Sequence, residues 1–198
     1  MAEHGYVSYA DVYGPADPGD TARLAALGDA IPRRGDPMPR MPVDALLLPP
    51  GHGESLWHLD SLWTFKIPAA VSGGAFSLAE QLIPKGSAPP VHRHTREDEA
   101  WIVLDGEVTF FLDDEQHTVG PGTCVFGPRG RAHTHRVESD TARLAILLIP
   151  GTCETFFRTT GRPAESLTLP PPQQPDLDGL LAGMREHGIE YLAPPPAQ

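Results

Sequence analysis

The chain has 198 residues, with 26 acidic side chains against 15 basic ones and a formal net charge of -11. That length accommodates one domain with a sizeable core, and an acidic chain with only two lysines, Lys66 and Lys85, is poorly matched to nucleic acid or an anionic membrane. No apolar stretch approaches the roughly 20 residues that span a bilayer, and the first residues lack a basic start followed by an apolar run, so a cytoplasmic location is expected.

Residues 1–50 are rich in Pro, Gly and Asp and read as an irregular arm with one short helical candidate, TARLAALGDA, for which Asp20 is a suitable N-cap. From SLWHLDSLWTFKI onward the pattern turns to short strands. They read SLWTFKIP, GAFSLAEQLIP, PPVHRH, EAWIVLDG, EVTFFLDD, EQHTVGPG, TCVFGP, AHTHRVES and ARLAILLIP. Their lengths, and the turn residues between them, predict an all-β double-sheet jelly roll over residues 51–160. No internal repeat is present, so one barrel is expected. Residues 161–198 then supply a Pro-rich connector at 170–175 and an amphipathic segment, DLDGLLAGMREHG, read as a short C-terminal helix that stops at Gly188. Cys124 and Cys153 are too few and too far apart for a disulfide framework or a zinc knuckle and are read as ordinary thiols.

Chemistry concentrates between Gly86 and His133. The period of two in a strand sends His92 and His94 to one face while Arg93 points away. Glu99 opens the apolar run AWIVL, which closes at Asp105-Gly106, a hairpin signal, so a neighbouring strand can bring a carboxylate to the same point. Glu97 and Asp98 compete for that role, and parity puts Glu97 on the face of Glu99. His133 begins another β-like stretch after the turn at 128–130 and can deliver a third imidazole. Three imidazoles and a carboxylate suit one divalent transition metal, whether iron, nickel, cobalt, manganese, copper or zinc. An octahedral ion would keep two positions open for a small-molecule substrate, water or dioxygen.

The two runs GSAPPVHRHTREDEAWIVLDG and GTCVFGPRGRAHTHRV resemble the paired signature of the cupin superfamily. The first run fits it at Gly86, His92, His94, Glu99 and Gly106, the second at Gly122, Pro128, Gly130 and His133. Val137 stands where the pattern often has Asn. The resemblance implies a cupin double-stranded β-helix, with His92, His94, Glu99 and His133 as metal ligands, and it favours Glu99 over its two neighbours. A wider similarity, over roughly residues 55–195 and including FSLAEQLIPKGSAPP, ARLAILLIPG and GIEYLAPPP, is to single-barrel relatives of quercetin 2,3-dioxygenase. It implies that Glu99 serves as both ligand and base toward a flavonol hydroxyl, with dioxygen cleaving the heterocycle.

Parity extends the site. If His133 points inward, so do His135 and Val137, while Thr134 and Arg136 face out. His135 is then a candidate acid or base, against the plainer reading of an interior histidine with no chemical role. Trp101 and Val103 share the face of Glu99. Phe110, Phe126, Trp63 and Phe65 are available to line an apolar cavity, and Trp101, Phe110, Phe126 and Val137 are the expected substrate contacts. The expected function is a metal-dependent cupin oxygenase, quercetinase-like, acting on a phenolic or enol-containing compound. The alternatives are a redox-neutral cupin (cyclase, isomerase, dehydratase or decarboxylase in secondary metabolism) and a non-catalytic binding cupin. A homodimer through the outer sheet face is expected, because an apolar strand such as ARLAILLIP would need covering.

Overall fold

The structure, a computed structural model, describes residues 46–174 and 176–196. The expected helix at TARLAALGDA, and the arm as far as residue 45, lie outside the described residues. Twelve strands in the described residues form two sheets. One has seven strands in the order β11 (Arg162–Pro163), β1 (Glu54–His58), β2 (Ser61–Ile67), β3 (Ser77–Pro84), β10 (Thr141–Ile149), β5 (Asp98–Asp105) and β8 (Cys124–Gly127). The other has five, in the order β12 (Ile189–Ala193), β4 (Val91–His94), β9 (His133–Val137), β6 (Val108–Leu112) and β7 (Glu115–Val119). Every recorded pairing is antiparallel. This is the all-β jelly roll read from the sequence.

Alternation explains how the two sheets find each other. Along β3, residues 77, 79, 81 and 83 are buried and their neighbours half-buried; along β10, Ala142, Leu144, Ile146 and Leu148 point inward. Sheets with one apolar face bury it against each other, at roughly 25 cal/mol per Å² of apolar surface. Trp63, Phe65, Trp101, Val103, Val108, Phe110 and Val137 fill the space between them. Gly106, in the β5–β6 hairpin, has φ of +84°, and a Cβ there would lie 2.5 Å from the Thr141 carbonyl oxygen. Both facts require glycine at this position of the motif.

β10 is a central strand, paired on both sides; Ala142, Leu144, Ile146 and Leu148 face the core, while Ala145, Leu147 and Ile149 alternate with them and are half-buried. The large apolar side chains exposed on the outer face belong instead to β5 and β8: Ile102, Leu104 and Phe126.

After β10 the chain makes a 3-10 turn (Gly151–Cys153) and two helices, α1 (Glu154–Thr160) and α2 (Leu177–Glu186). Asp176 caps α2, its carboxylate accepting from the Gly179 N–H, and Gly188 follows with φ of +76°, the expected stop. The helix buries Leu180 and Met184 against Phe156 of α1 and the rest of the core. The chain then returns as β12 alongside β4, with Ile189 opposite His94 and Tyr191 opposite His92. The segment after residue 160 is therefore part of the walls, not an appendage to a finished barrel. Among the described residues no helix is long and apolar enough to cross a membrane.

Candidate metal centre

Four side chains from three strands converge inside the barrel. β4 carries His92 and His94, β5 carries Glu99 and β9 carries His133, with His92 directly opposite His133 across the β4–β9 pairing. One nitrogen or carboxylate oxygen from each lies within 4.8 Å of those of the others. Glu99 Oε2 is 3.2 Å from His94 Nε2 and 3.4 Å from His133 Nε2. The turn before β9 is tied to β4, since the Gly130 N–H donates to the His94 carbonyl at 2.7 Å, so the two motif runs hold each other in register.

The outward ring nitrogens are all engaged. His92 Nδ1 lies 2.8 Å from the Pro90 carbonyl and His133 Nδ1 lies 3.1 Å from that of Arg131. Both contacts require an N–H on Nδ1, which leaves Nε2 as a free lone pair aimed at the cluster. His94 Nδ1 faces Cys153 Sγ at 3.6 Å and Glu97 Oε2 at 3.7 Å. His133 Nε2 is buried and has no hydrogen-bond partner. An orphaned buried acceptor costs roughly 1–3 kcal/mol, and a cation among these donors would remove that cost. The donor set thus fits a divalent transition metal ion. Of the competing carboxylates, Asp98 binds the Arg129 side chain. Glu97 is buried as parity required, but it accepts from Thr152 Oγ1 at 2.5 Å and faces the rear of His94.

Electrostatics follow from burial. Burial raises the Glu99 pKa, but the imidazole rings of His133 and His94 beside the carboxylate outweigh it and hold the carboxyl well below the usual carboxylate range. Burial lowers His94, yet bonds to Cys153, Glu97 and Glu99 raise it well above 6.5. Burial, with charge repulsion from His133 and His94, pushes His92 down to about 3. Burial alone takes His58 to about 4, and it also takes His135 to about 4 against the pull of Glu99.

Below the cluster opens a cavity of about 810 Å³. His92, His94, Glu99, Trp101 and His135 are among the residues that line it. Phe110 is buried behind Trp101, with ring centroids 5.4 Å apart, and contributes packing without reaching the cavity surface. Val137 is likewise buried in the core opposite Val108 and does not line the cavity. Phe126 corrects the sequence reading: it is 55% exposed on the outer face. The pairing of Glu99 with Gly127 sets the parity of β8, so Val125 and Gly127 face inward and Phe126 faces out. Thr134 also differs, since it is buried with its hydroxyl donating to the Pro89 carbonyl. The β3–β4 connection covers that outward position.

Trp63, also expected at an apolar cavity, lines it too, whereas most of the remaining wall was not anticipated. It comes from His58, Ser61 and Gln81 in the large sheet and from the C-terminal segment, including Leu180, Met184, Ile189 and Tyr191. Two signals were available. Leu177, Leu180, Leu181 and Met184 recur at helical spacing, and Gln81 is polar at an inward position of an alternating strand.

His58 permits a test of the burial argument away from the cluster. Its ring packs edge-on to Phe156 and Phe157, and its Nε2 lies 3.0 Å from Thr160 Oγ1. Because the native pKa of about 4 lies below the unfolded value of 6.5, the unfolded chain binds more protons between these pH values. Stability is present above pH 6.5 and is lost as pH falls toward 4. Between pH 7.5 and 5.0 this residue alone should account for about 2 kcal/mol of lost stability. Urea unfolding of wild type and His58→Phe at both pH values measures it, and equal pH sensitivity would refute it.

Residues 79–150 match the cupin domain family, and with the two-sheet barrel and the inward His/Glu cluster they form a cupin domain. Over 149 residues the chain is 28% identical to quercetin 2,3-dioxygenase of Bacillus subtilis, covering 75% of this chain and 44% of that protein. Over 89 residues it is 36% identical to dimethylsulfoniopropionate lyase DddQ of Ruegeria pomeroyi, covering 42% of this chain and 43% of that one. The chain thus spans less than half the length of either relative. Among solved structures, KdgF from Halomonas sp. superposes with a TM-score of 0.45 at 16% identity, over 48% of this chain and 84% of that one.

Proposed function

We propose that the protein is a metal-dependent cupin oxygenase of quercetinase-like type, acting on a phenolic or enol-containing small molecule. The observation that carries the reading is the set His92, His94, Glu99 and His133, three of which, His92, His94 and Glu99, line a large, mostly apolar cavity. The similarity to quercetin 2,3-dioxygenase supports it. In this reading His92, His94, Glu99 and His133 hold one divalent ion, which when bound supplies Lewis acidity and, if redox-active, a route for electrons to dioxygen. Glu99, held as a carboxylate, takes the proton of the substrate hydroxyl at its free oxygen. Pro90 and Arg131 fix His92 and His133 through their Nδ1–H groups, so the ligand geometry does not have to be organised on binding. Trp101 and the α2 side chains Leu180 and Met184 exclude water. His135, buried and neutral at the cavity wall, can accept or return a proton.

That last feature also favours a second reading, a redox-neutral lyase or isomerase in which His135 is the base and the metal acts only as Lewis acid. The partial similarity to a dimethylsulfoniopropionate lyase supports it. Oxygen uptake by metal-loaded protein with flavonols and related phenols separates the two. Stoichiometric uptake with substrate loss is expected, whereas consumption of the same compounds under nitrogen would establish the redox-neutral reading. Loss of neither would leave a binding cupin. A homodimer is proposed through the outer face at Ile102, Leu104 and Phe126. Light scattering of wild type and Phe126→Glu tests it, with a shift to monomer in the variant as the expected result.

A further inference from the structure

At the level of Leu144 the cavity wall carries a polar group that the metal cluster does not use. Gln81 points inward from β3, is 7% exposed and lines the cavity. Its Nε2 donates to Ser61 Oγ at 3.1 Å. Ser61 Oγ also accepts from Trp63 Nε1 at 3.1 Å and donates to the His58 carbonyl at 2.9 Å. With two bonds accepted and its single hydrogen committed, the hydroxyl is saturated. The Gln81 amide cannot turn over, because its oxygen would then meet an oxygen with no hydrogen to offer. Gln81 Oε1 is therefore locked away from Ser61, and it is buried without a hydrogen-bond partner. An acceptor fixed in that state by three neighbours has the form of a binding group awaiting a donor.

We propose that Gln81 Oε1 accepts a hydrogen bond from a hydroxyl on the end of the substrate remote from the metal cluster, making Gln81 a specificity-determining residue. This rests on the reading that the cavity holds the substrate. Register gives the span. Gln81 pairs with Leu144 and Leu144 with Val103, four residues along β5 from Glu99. The two sites are then about 13 Å apart along the strands and about 10 Å across them at the backbone. A molecule that reaches both is elongated, with an oxygen pair at one end and a hydroxyl at the other. The aromatic walls supplied by Trp63, Trp101, Phe156 and Phe157 suit linked or fused aromatic rings. Such a site rejects an analogue that lacks the hydroxyl, because the acceptor would stay buried and unsatisfied.

Two matched pairs of probes test this by calorimetric titration on metal-loaded protein. The first is 3,4′-dihydroxyflavone against 3-hydroxyflavone. The second, 4-phenylphenol against biphenyl, has no metal-binding oxygen pair. The hydroxylated member of each should bind about ten-fold more tightly to wild type. That preference should vanish in Gln81→Met and shrink in Ser61→Ala, where the amide is no longer locked. Equal binding within both pairs by wild type, or a preference that persists in Gln81→Met, overturns the inference. The wild-type comparison needs no variant to fold. If neither flavone binds but 4-phenylphenol shows the Gln81-dependent preference, the role of Gln81 stands and the flavonol reading fails. If the flavones bind without preference, the reverse holds.

Discussion

Protein purified without chelator should carry about one equivalent of a divalent transition metal, and the His92→Ala, His133→Ala double variant should lose it. Loss of a group that merely orients a metal ligand costs 10–100-fold in affinity, so removing two ligands should cost more than about 100-fold. The fold should survive. In the metal-free protein His133 Nε2 has no hydrogen-bond partner and His92 is held neutral by burial, so the hydrogen bonds that alanine removes are those from the two Nδ1–H groups to the Pro90 and Arg131 carbonyls. Elemental mass spectrometry beside circular dichroism distinguishes the outcomes. A folded variant without metal supports the ligand set, while equal metal in both proteins would place any ion elsewhere. The identity of the ion weighs on the chemistry. Iron, nickel or another ion able to support oxygen chemistry favours the oxygenase, whereas stoichiometric zinc shifts weight to Lewis-acid catalysis.

Trp101→Ala should cost about 3–5 kcal/mol of stability, the usual range for deleting a buried large aromatic side chain. For a chain of this size that corresponds to a fall in Tm of roughly 6–20 °C. The residue is 2% exposed and packs on three groups at once. Phe110 lies 5.4 Å away and His133 5.3 Å away between ring centroids, and a Cβ on Gly127 would come within 3.0 Å of its ring. Trp101→Phe should retain most of the stability, yet should weaken metal binding by freeing the His133 ring to rotate. Calorimetry with and without metal measures both effects. A Tm change below about 3 °C for the alanine variant would mean that the packing is loose and the cavity wall adaptable.

The strands and the cluster were legible because both rest on short-range regularities. The period of two fixed which of residues 91–94 and 133–137 share a face, and the spacing of glycines, histidines and glutamate matched a known signature. Facing outward or inward on β8 was not legible, because an aromatic residue such as Phe126 is equally at home on either side until the pairing of Gly127 with Glu99 chooses. The roof of the cavity was hidden for a related reason. α2 showed its apolar stripe in the sequence, but nothing local to residues 177–186 says that the stripe meets α1 and the barrel mouth. β12 is five residues long and exposed at Glu190, Tyr191 and Leu192, too weak a pattern to register as a strand without β4 beside it. Gln81 stood out only once its row, Ser77, Ala79, Gln81 and Ile83, was known to face in.

The position of β12 also bears on how the molecule assembles. Across its other edge β4 meets β9 in a single recorded residue pair, His92 with His133, while β12 supplies four. The strand that carries two of the four candidate ligands is thus clamped chiefly by residues about a hundred positions later in the chain. Closing so long a loop is among the slow steps of folding. Refolding protein should consequently acquire the barrel's circular dichroism before it acquires its full affinity for metal, and the interval between the two signals times the docking of the C-terminal strand.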